Sequence, residues 1–423
     1  MPLHPKVVTY SSFKGINSVG NPENVDPSYL MKALNIDIDK TGNLSKRKGY
    51  SKVDTANYTS LWASENGLGC YAVRNGDLVE VLPNYLHVTL KSSIGNIRLS
   101  FEEVDGTIYL SSPILNGTIV NHTFKNWGIE KNHLSPTLSI GAGTLPAGDY
   151  QVSFTYVNTS GIESGTGPAS LINVPNNSSI LVTIPNITDP EILYARVYSS
   201  TPNGNSLYFN NIGLSGSTVT ISSISNLIDP LRTFNIDKAP LGHIVKYYRG
   251  RMYIAQDNIL WYSEPFQYTN FKLASNYFEF PERIREVMPV EDGIWLGSDK
   301  LYYLSGEEPE KFKRTTKERI KVVEGTSTLF SGSYIHLDNT PVGYKWLVTS
   351  DLGIFVLFNQ GLVINLTSQT ISLKKANQGT SIFLQENGNN QYLSILKINE
   401  NPNNSVMGDL VETSIIRNGL IIT

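Results

Sequence analysis

The sequence predicts an all-β chain, a β-propeller of about six blades with an inserted fibronectin-type-III- or immunoglobulin-like β-sandwich. Three observations predict it. Strand–turn–strand segments recur along the chain, a block without lysine interrupts them, and no long stretch repeats apolar residues at the helical period.

The recurring unit is a strand, a tight turn rich in Gly, Asn or Asp, and an aromatic-rich strand. It occupies residues 69–81, around Asn75-Gly76, and 105–110, with its return through Asn116-Gly117. It comes back at 249–262 and 292–303, with weaker copies at 351–363 and 387–395. Turn residues that tolerate positive φ, flanked by alternating apolar and polar positions, specify hairpins. With the interrupting block set aside, roughly 45 residues fall to each of six repeats, the span usual for a propeller blade.

That block is compositionally distinct. No lysine lies between Lys131 and Lys238, and residues 135–233 hold five acids and two arginines. Tyr150, Val152, Phe154 and Tyr156 alternate with polar residues, as do Ile180, Val182 and Ile184, and Leu193, Ala195 and Val197. Low charge alone would also suit a flexible spacer, but alternating aromatics argue for a core. Several strands separated by Gly and Pro clusters specify a small sandwich. It lacks the Cys–Trp–Cys spacing of antibody domains, which favours the fibronectin-type-III form. Three regions follow: 1–134, a lead-in and the first blades; 135–233, the sandwich; 234–423, the remaining blades. In the lead-in, Asp26-Pro27 would start a short helix from Ser28 to Leu34. A strand at 35–39 then turns at Lys40-Thr41-Gly42-Asn43 and returns over 44–49. Two strands within 410–422 would complete the blade begun near the N-terminus and close the circle, leaving no free edge.

Composition narrows the function. The chain has 423 residues, 40% hydrophobic, 17% charged and 23 of them tyrosine, with a net charge of −3. Charge is low against the usual quarter, and its slight acidity gives no global reason to bind nucleic acid or an acidic membrane. The lone Cys70 excludes an intrachain disulfide and reads as a small apolar strand residue. Met1-Pro2-Leu3-His4-Pro5 opens no signal peptide, and no apolar run approaches the ~18 residues of a membrane span. A soluble protein made in a reducing cytoplasm is expected. Asn-X-Ser/Thr triplets such as those at Asn57, Asn116 and Asn186 then reflect composition rather than glycosylation.

No catalytic constellation is legible, and neither a cofactor nor a metal is expected. His4, His87, His122, His133, His243 and His336 are scattered, with no pair at metal-ligand spacing. No nucleophile elbow or phosphate loop occurs. Glu102-Glu103 and Glu307-Glu308 read as solvated loop carboxylates, and Ser350-Asp351-Leu352-Gly353 does not match a sialidase-type box. An enzyme is not expected. The strongest local charge is the run 311–321, where Lys311, Lys313, Arg314, Lys317, Arg319 and Lys321 stand against Glu318. It would suit a DNA phosphate backbone, a contact between subunits or a solvated hairpin. Lys46-Arg47-Lys48 carries the same alternatives, and Trp261-Tyr262 and Tyr302-Tyr303 read as blade packing.

One resemblance emerges. Phe13-Lys14-Gly15-Ile16, then Asn35, Asp37, Gly42, Leu44, Arg47 and Gly49, resembles the N-terminal signature of hub or nozzle (DNA-stabilization-type) tail proteins of short-tailed bacteriophages. Residues 248–253 with 260–265, and 412–419, are similar to further pieces of that family. The resemblance covers the two ends and the middle of the chain, outside the insert, and includes no catalytic residue. It implies a propeller-bodied virion subunit in a ring, typically of six copies, below portal and adaptor proteins and near tail fibres or spikes. The ring would retain double-stranded DNA without sequence specificity and conduct it at ejection. The location implied is the virion tail, assembled in the host cytoplasm. A glycan- or protein-binding propeller adhesin for host recognition is the other reading.

Overall fold

Two-residue turns set the local structure. At Asn75-Gly76, Asp105-Gly106 and Arg249-Gly250 both residues have positive φ, from 43° to 88°, the turn whose twist matches that of paired strands. The strands they join are rich in Val, Ile, Tyr and Phe, which suit a pleated sheet. The computed structural model describes residues 12–33, 36–39, 41–46, 49, 51–225, 228–332, 340–341, 343–368, 370–371, 373, 375–386, 389–398, 411–417 and 420–422. The expected Asn387-Gly388 turn, His4 and His336 lie outside them.

Among the described residues the fold is all-β: six antiparallel meanders, in which consecutive strands pair, two sheets formed by the insert, and two two-stranded sheets near the N-terminus. Sheet A comprises Tyr58–Ala63, Cys70–Arg74, Asp77–Val81 and His87–Lys91, and sheet B Ser100–Val104, Thr107–Ser111, Asn116–Val120 and Thr123–Lys125. Sheet C comprises Ile244–Tyr248, Arg251–Gln256, Ile259–Glu264 and Gln267–Phe271, with Tyr277–Glu279 also on its third strand. Sheet D comprises Glu286–Val290, Gly293–Gly297, Leu301–Ser305 and Lys313–Glu318, and sheet E Thr328–Ser331, Tyr344–Ser350, Gly353–Leu357 and Val363–Asn365. Sheet F comprises Ala376–Glu386, Asn389–Ile398, Val411–Arg417 and Leu420–Ile422. Two compact units contain these sheets. One spans 57–256 and 260–278, with sheets A to C and the insert; the other spans 1–56, 257–259 and 279–423, with sheets D to F.

Within the first unit the meanders share cores in chain order. Tyr71, Val73 and Leu78 of sheet A meet Phe101, Ile108 and Leu110 of sheet B. The other face of sheet B, through Val104 and Tyr109, meets Val245, Met252, Ile254 and Phe271 of sheet C, with Trp127 between. Sheets B and C therefore pack on each other although the whole insert separates them in sequence. Sheet E in the second unit is likewise buried on both faces. Trp346, Val348, Phe355 and Leu357 face sheet D, while Leu347, Ile354 and Val356 join Tyr392 of sheet F. Alternation along a strand sends neighbouring side chains to opposite cores, so such strands read as continuous apolar runs.

The insert forms two sheets. One pairs Thr137–Leu145, Ser178–Thr183 and Thr218–Ile221; the other orders Ser170–Val174, Gly148–Asn158, Ile192–Ser199 and Tyr208–Gly213. Tyr150, Val152 and Phe154 from one meet Ile180, Val182 and Ile221 from the other in a single core. The expected alternation holds at Ala195 and Val197 but not at Leu193, which is 57% exposed. Pairing jumps from Val157–Tyr194 to Asn158–Ile192, so Leu193 is the extra residue of a bulge and turns outward.

Three further expectations are corrected. Residues after Pro27 do not form a helix: Asp26 Oδ1 accepts from Ser28 N (2.9 Å) and Asp26 O from Tyr29 N (2.9 Å). The resulting turn leads into a strand, Tyr29–Leu30, parallel to Gly15–Ile16. A segment this short gains too few helical hydrogen bonds to offset nucleation. Asn116-Gly117 begins a strand paired with Ser111 and Leu110, the bend lying at 112–115, where Ser112 N donates to Leu115 O (2.7 Å). The C-terminal strands complete sheet F, pairing in order onto Asn389–Ile398. The N-terminal strands make two separate two-stranded sheets instead.

Removing the Phe154 ring empties the middle of the insert core. Phe154→Ala is expected to cost about 3–5 kcal/mol, read as faster amide exchange across 150–157 and 178–184. Exchange in sheets D to F should stay unchanged; uniform acceleration through the chain would contradict an insert with its own core.

Candidate functional site

Strand geometry converts several acidic residues into fasteners between sheets. Glu102 and Glu103 sit side by side on the first strand of sheet B and so point to opposite faces. Glu102 accepts from Lys246 Nζ (3.1 Å) and Tyr247 N (3.0 Å) of sheet C, and Glu103 from Ser64 Oγ (2.5 Å) and Asn66 Nδ2 (2.6 Å) beside sheet A. They are ties between sheets rather than solvated loop groups, a role that their adjacency on a strand alone could suggest. Glu307 and Glu308 are exposed loop residues, as expected. Sheets D and E repeat the device. Glu286, 5% exposed, accepts from Ser327 Oγ (2.6 Å) and from the Gly325 amide. Indole N–H groups add ties, Trp295 to Phe358 O and Trp346 to Pro289 O, both at 2.7 Å. Tyr262, Tyr302 and Tyr303 are buried, and Trp261 lies against Tyr277 with ring centroids 5.3 Å apart.

The basic run divides over the edge strand of sheet D and its flanks. Lys311 pairs with Glu308 (2.7 Å), which raises its pKa, and Lys321 pairs with Glu282 (2.8 Å). Arg314 donates to Glu279 O (2.9 Å) and lies 5.3 Å from the Phe280 ring centroid. Lys317 Nζ stands 5.7 Å from the Tyr303 ring, at a register shift in the strand. Lys313 and Arg319 are exposed with no ion pair among the described residues. Alternation thus spreads a contiguous sequence patch over two faces, and four of its six bases already have partners.

The N-terminal motif, by contrast, comes together. Phe13 N donates to Gly42 O and Lys14 N to Ser28 O, both at 2.9 Å. Gly42 has φ +84°, and an added Cβ would lie 2.7 Å from Phe13 N, so only glycine fits that crossing. Gly15 pairs with Tyr29, Asp37 with Ser45, and Ile38 with Leu44. Ile16, Ala33 and Ile38 form a small core against Phe13, Leu30 and Leu393 of sheet F. Strands Gly15–Ile16 and Ile36–Ile38 lie beside the last strand of that sheet. Leu44 and Gly49 are exposed, while Asn35 and Arg47 lie outside the described residues. Asp26 and Asp39 are its polar anchors; the sequence marks Asp26 as a cap and the turn at 40–43, but not the carboxylate that holds that turn. Asp39 accepts from Thr41 N, Thr41 Oγ1 and Asn43 N at 2.6–2.9 Å, a pattern usual for Asp at the start of a turn.

In the first unit a cleft of about 650 Å³ opens at the base of the insert, lined by Lys131, His133, Gln151, Asn205, Leu231 and Phe234. Phe234 is 62% exposed, an aromatic surface beside amides and an imidazole. Half-buried Cys70 has its thiol pKa raised by desolvation, away from nucleophile behaviour. No cluster of three His, Cys, Asp or Glu able to hold a metal occurs among the described residues. No helix among them is long and apolar enough to cross a membrane.

No family model matches the chain, and no curated protein is similar to it. Solved structures similar to it include Sqt1 of Saccharomyces cerevisiae, at TM-score 0.31 and 10% identity over 76% of this chain and 77% of that one. Hsv2 of Kluyveromyces lactis gives TM-score 0.31 and 7% identity over 86% and 99% of the two chains. The WD40 β-propeller domain of Doa1 gives TM-score 0.26 and 8% identity over 78% and 90%.

The N-terminal anchors titrate at low pH. The hydrogen bond from Lys14 holds Asp26 down at about 2, and that from the Thr41 hydroxyl holds Asp39 at about 2. Carboxylates with depressed folded pKa values stabilise fully above the unfolded value near 3.8 and lose that contribution as pH falls through about 2. Protection of the Ser28, Thr41 and Asn43 amides, corrected for intrinsic exchange, should therefore hold at pH 5 and collapse toward pH 2. Asp39→Asn should remove that dependence at Thr41 and Asn43; protection indifferent to pH in the parent chain would contradict the assignment.

Proposed function

We propose that the chain is a structural subunit of a short-tailed phage virion, a tail hub or nozzle protein. It assembles with about five further copies into a ring that retains packaged DNA and conducts it outward. One observation carries the reading. The motif that resembles this family's N-terminal signature forms a folded clasp around Phe13 and Gly42, seated on sheet F. Phe13, Gly15, Asp37, Gly42 and Leu44 of the signature make that clasp or pair within its strands, a packing role that suits an assembly module.

The body proposed is a six-bladed propeller, with sheets A to F as blades and the insert as an attached fibronectin-type-III-like module. Serial packing of A on B on C, and of D on E on F, supports it. Permanent ties such as Glu102, Glu286 and Trp295 suit a rigid part. Head-to-tail ring contacts need two complementary faces on each subunit, and the exposed Lys313 and Arg319 would contribute to one of them. Portal and adaptor proteins, and fibres or spikes, are the neighbours proposed, with double-stranded DNA held without sequence specificity.

Mass photometry of the purified chain, alone and with a portal–adaptor complex, tests the reading. A ring of about six copies is expected with the complex; a monomer under every condition, never joining it, would overturn the proposal. The cleft beside Phe234 favours a second reading, glycan binding through the insert, since aromatic faces and amides recognise sugars. A glycan array with a hit lost in Phe234→Ala would support it, and a blank array would remove it.

A further inference from the structure

Sheet D ends in a free edge. Its fourth strand, Lys313–Glu318, pairs only with Leu301–Ser305, and among the described residues no backbone group of it bonds outside that pair. An edge strand directs half of its N–H and C=O groups away from the sheet, as a template for another strand. Among the described residues this is the longest fourth strand of the six meanders, six residues against three to five.

The edge is also basic. Lys313, Arg314 and Lys317, with Arg319 just beyond, stand against Glu318, and none of the four makes an ion pair among the described residues. Arg314 is held by the Glu279 carbonyl and Lys317 by a ring, neutral partners that leave their charge in place. Lys317 Nζ lies over Tyr303, and the Arg314 guanidinium over Tyr302, 5.8 Å from its centroid. Those tyrosines are neighbours on one strand and point to opposite faces, so positive charge flanks the edge on both sides.

Charge on an edge ordinarily keeps other strands away. This one repels basic strands, including the same edge of a second copy, because like charges set opposite each other destabilise a pair. It does not repel an acidic strand, whose alternating side chains meet cations on either face. A phosphate backbone could use the cations too, but it carries no N–H donors for the outward carbonyls. Only a polypeptide satisfies both sets of backbone groups.

We infer that this edge receives an extended acidic segment of a partner polypeptide as a fifth strand, paired through the main chain. The ring reading places Lys313 and Arg319 at a subunit face, and only that placement of the partner rests on it; the pairing itself does not.

A labelled peptide alternating Glu with Thr, blocked at both ends, is titrated against the intact chain at low ionic strength and followed by anisotropy. Saturable binding is expected, weakened about tenfold or more in the Lys313→Glu/Arg319→Glu variant, with circular dichroism unchanged. The same peptide N-methylated throughout keeps its charge but loses its donors, and is expected not to bind. Absent saturation, equal binding of the N-methylated peptide, or equal affinity in the folded variant would overturn the inference. So would a short DNA duplex that binds saturably where the peptide does not. Self-association of the parent chain that is lost in the variant supports the edge and places the acidic segment on a second copy. Peptide binding is read apart from ring assembly, so failure here leaves the virion reading standing.

Discussion

A meander of four strands is too thin to hide both of its faces, and most of this molecule follows from that constraint. Each sheet needs a partner on either side, and in each unit consecutive sheets supply one another. Sheets D and E show the demand plainly, since every residue of their strands Gly293–Gly297 and Gly353–Leu357 is buried. Apolar burial at ~25 cal/mol per Å² drives such stacking but has no direction of its own. Direction comes from the polar ties. Glu102, Glu103 and Glu286 each leave one sheet and satisfy amides or hydroxyls on the next.

The ties also explain how these sheets accommodate acidic residues. A buried carboxylate is tolerated only where donors meet it, and Glu286 has several. Tyr392 is the neutral counterpart, its hydroxyl donating to Thr326 O at 2.7 Å and lying 3.0 Å from the Thr349 hydroxyl. The insert stands apart chemically. Its core is self-contained, and sheets B and C pack together despite it.

Much of the candidate site was hidden by the way strands sort side chains. The run 311–321 looks like one patch in sequence, yet alternation and a register shift divide it between two faces. The cleft beside Phe234 has the opposite history. Its residues span positions 131 to 235, and none is conspicuous until distant segments converge. The N-terminal clasp lies between these cases. Gly42 and Phe13 were legible as a motif, whereas the backbone bond between them was not.

The sequence by itself determined what short-range physics controls. Turn dipeptides such as Asn75-Gly76 fixed the hairpins, alternation at 150–154 fixed the faces of a strand, and the lysine-free block marked the insert. Only tertiary structure decided which faces meet, that Leu193 turns outward at a bulge, that Tyr29–Leu30 is a strand rather than part of a helix, and that the last strands complete sheet F. The reason is physical. Turn and strand preferences depend on a few neighbouring residues, whereas pairing partners and bulges depend on surfaces brought together from distant parts of the chain.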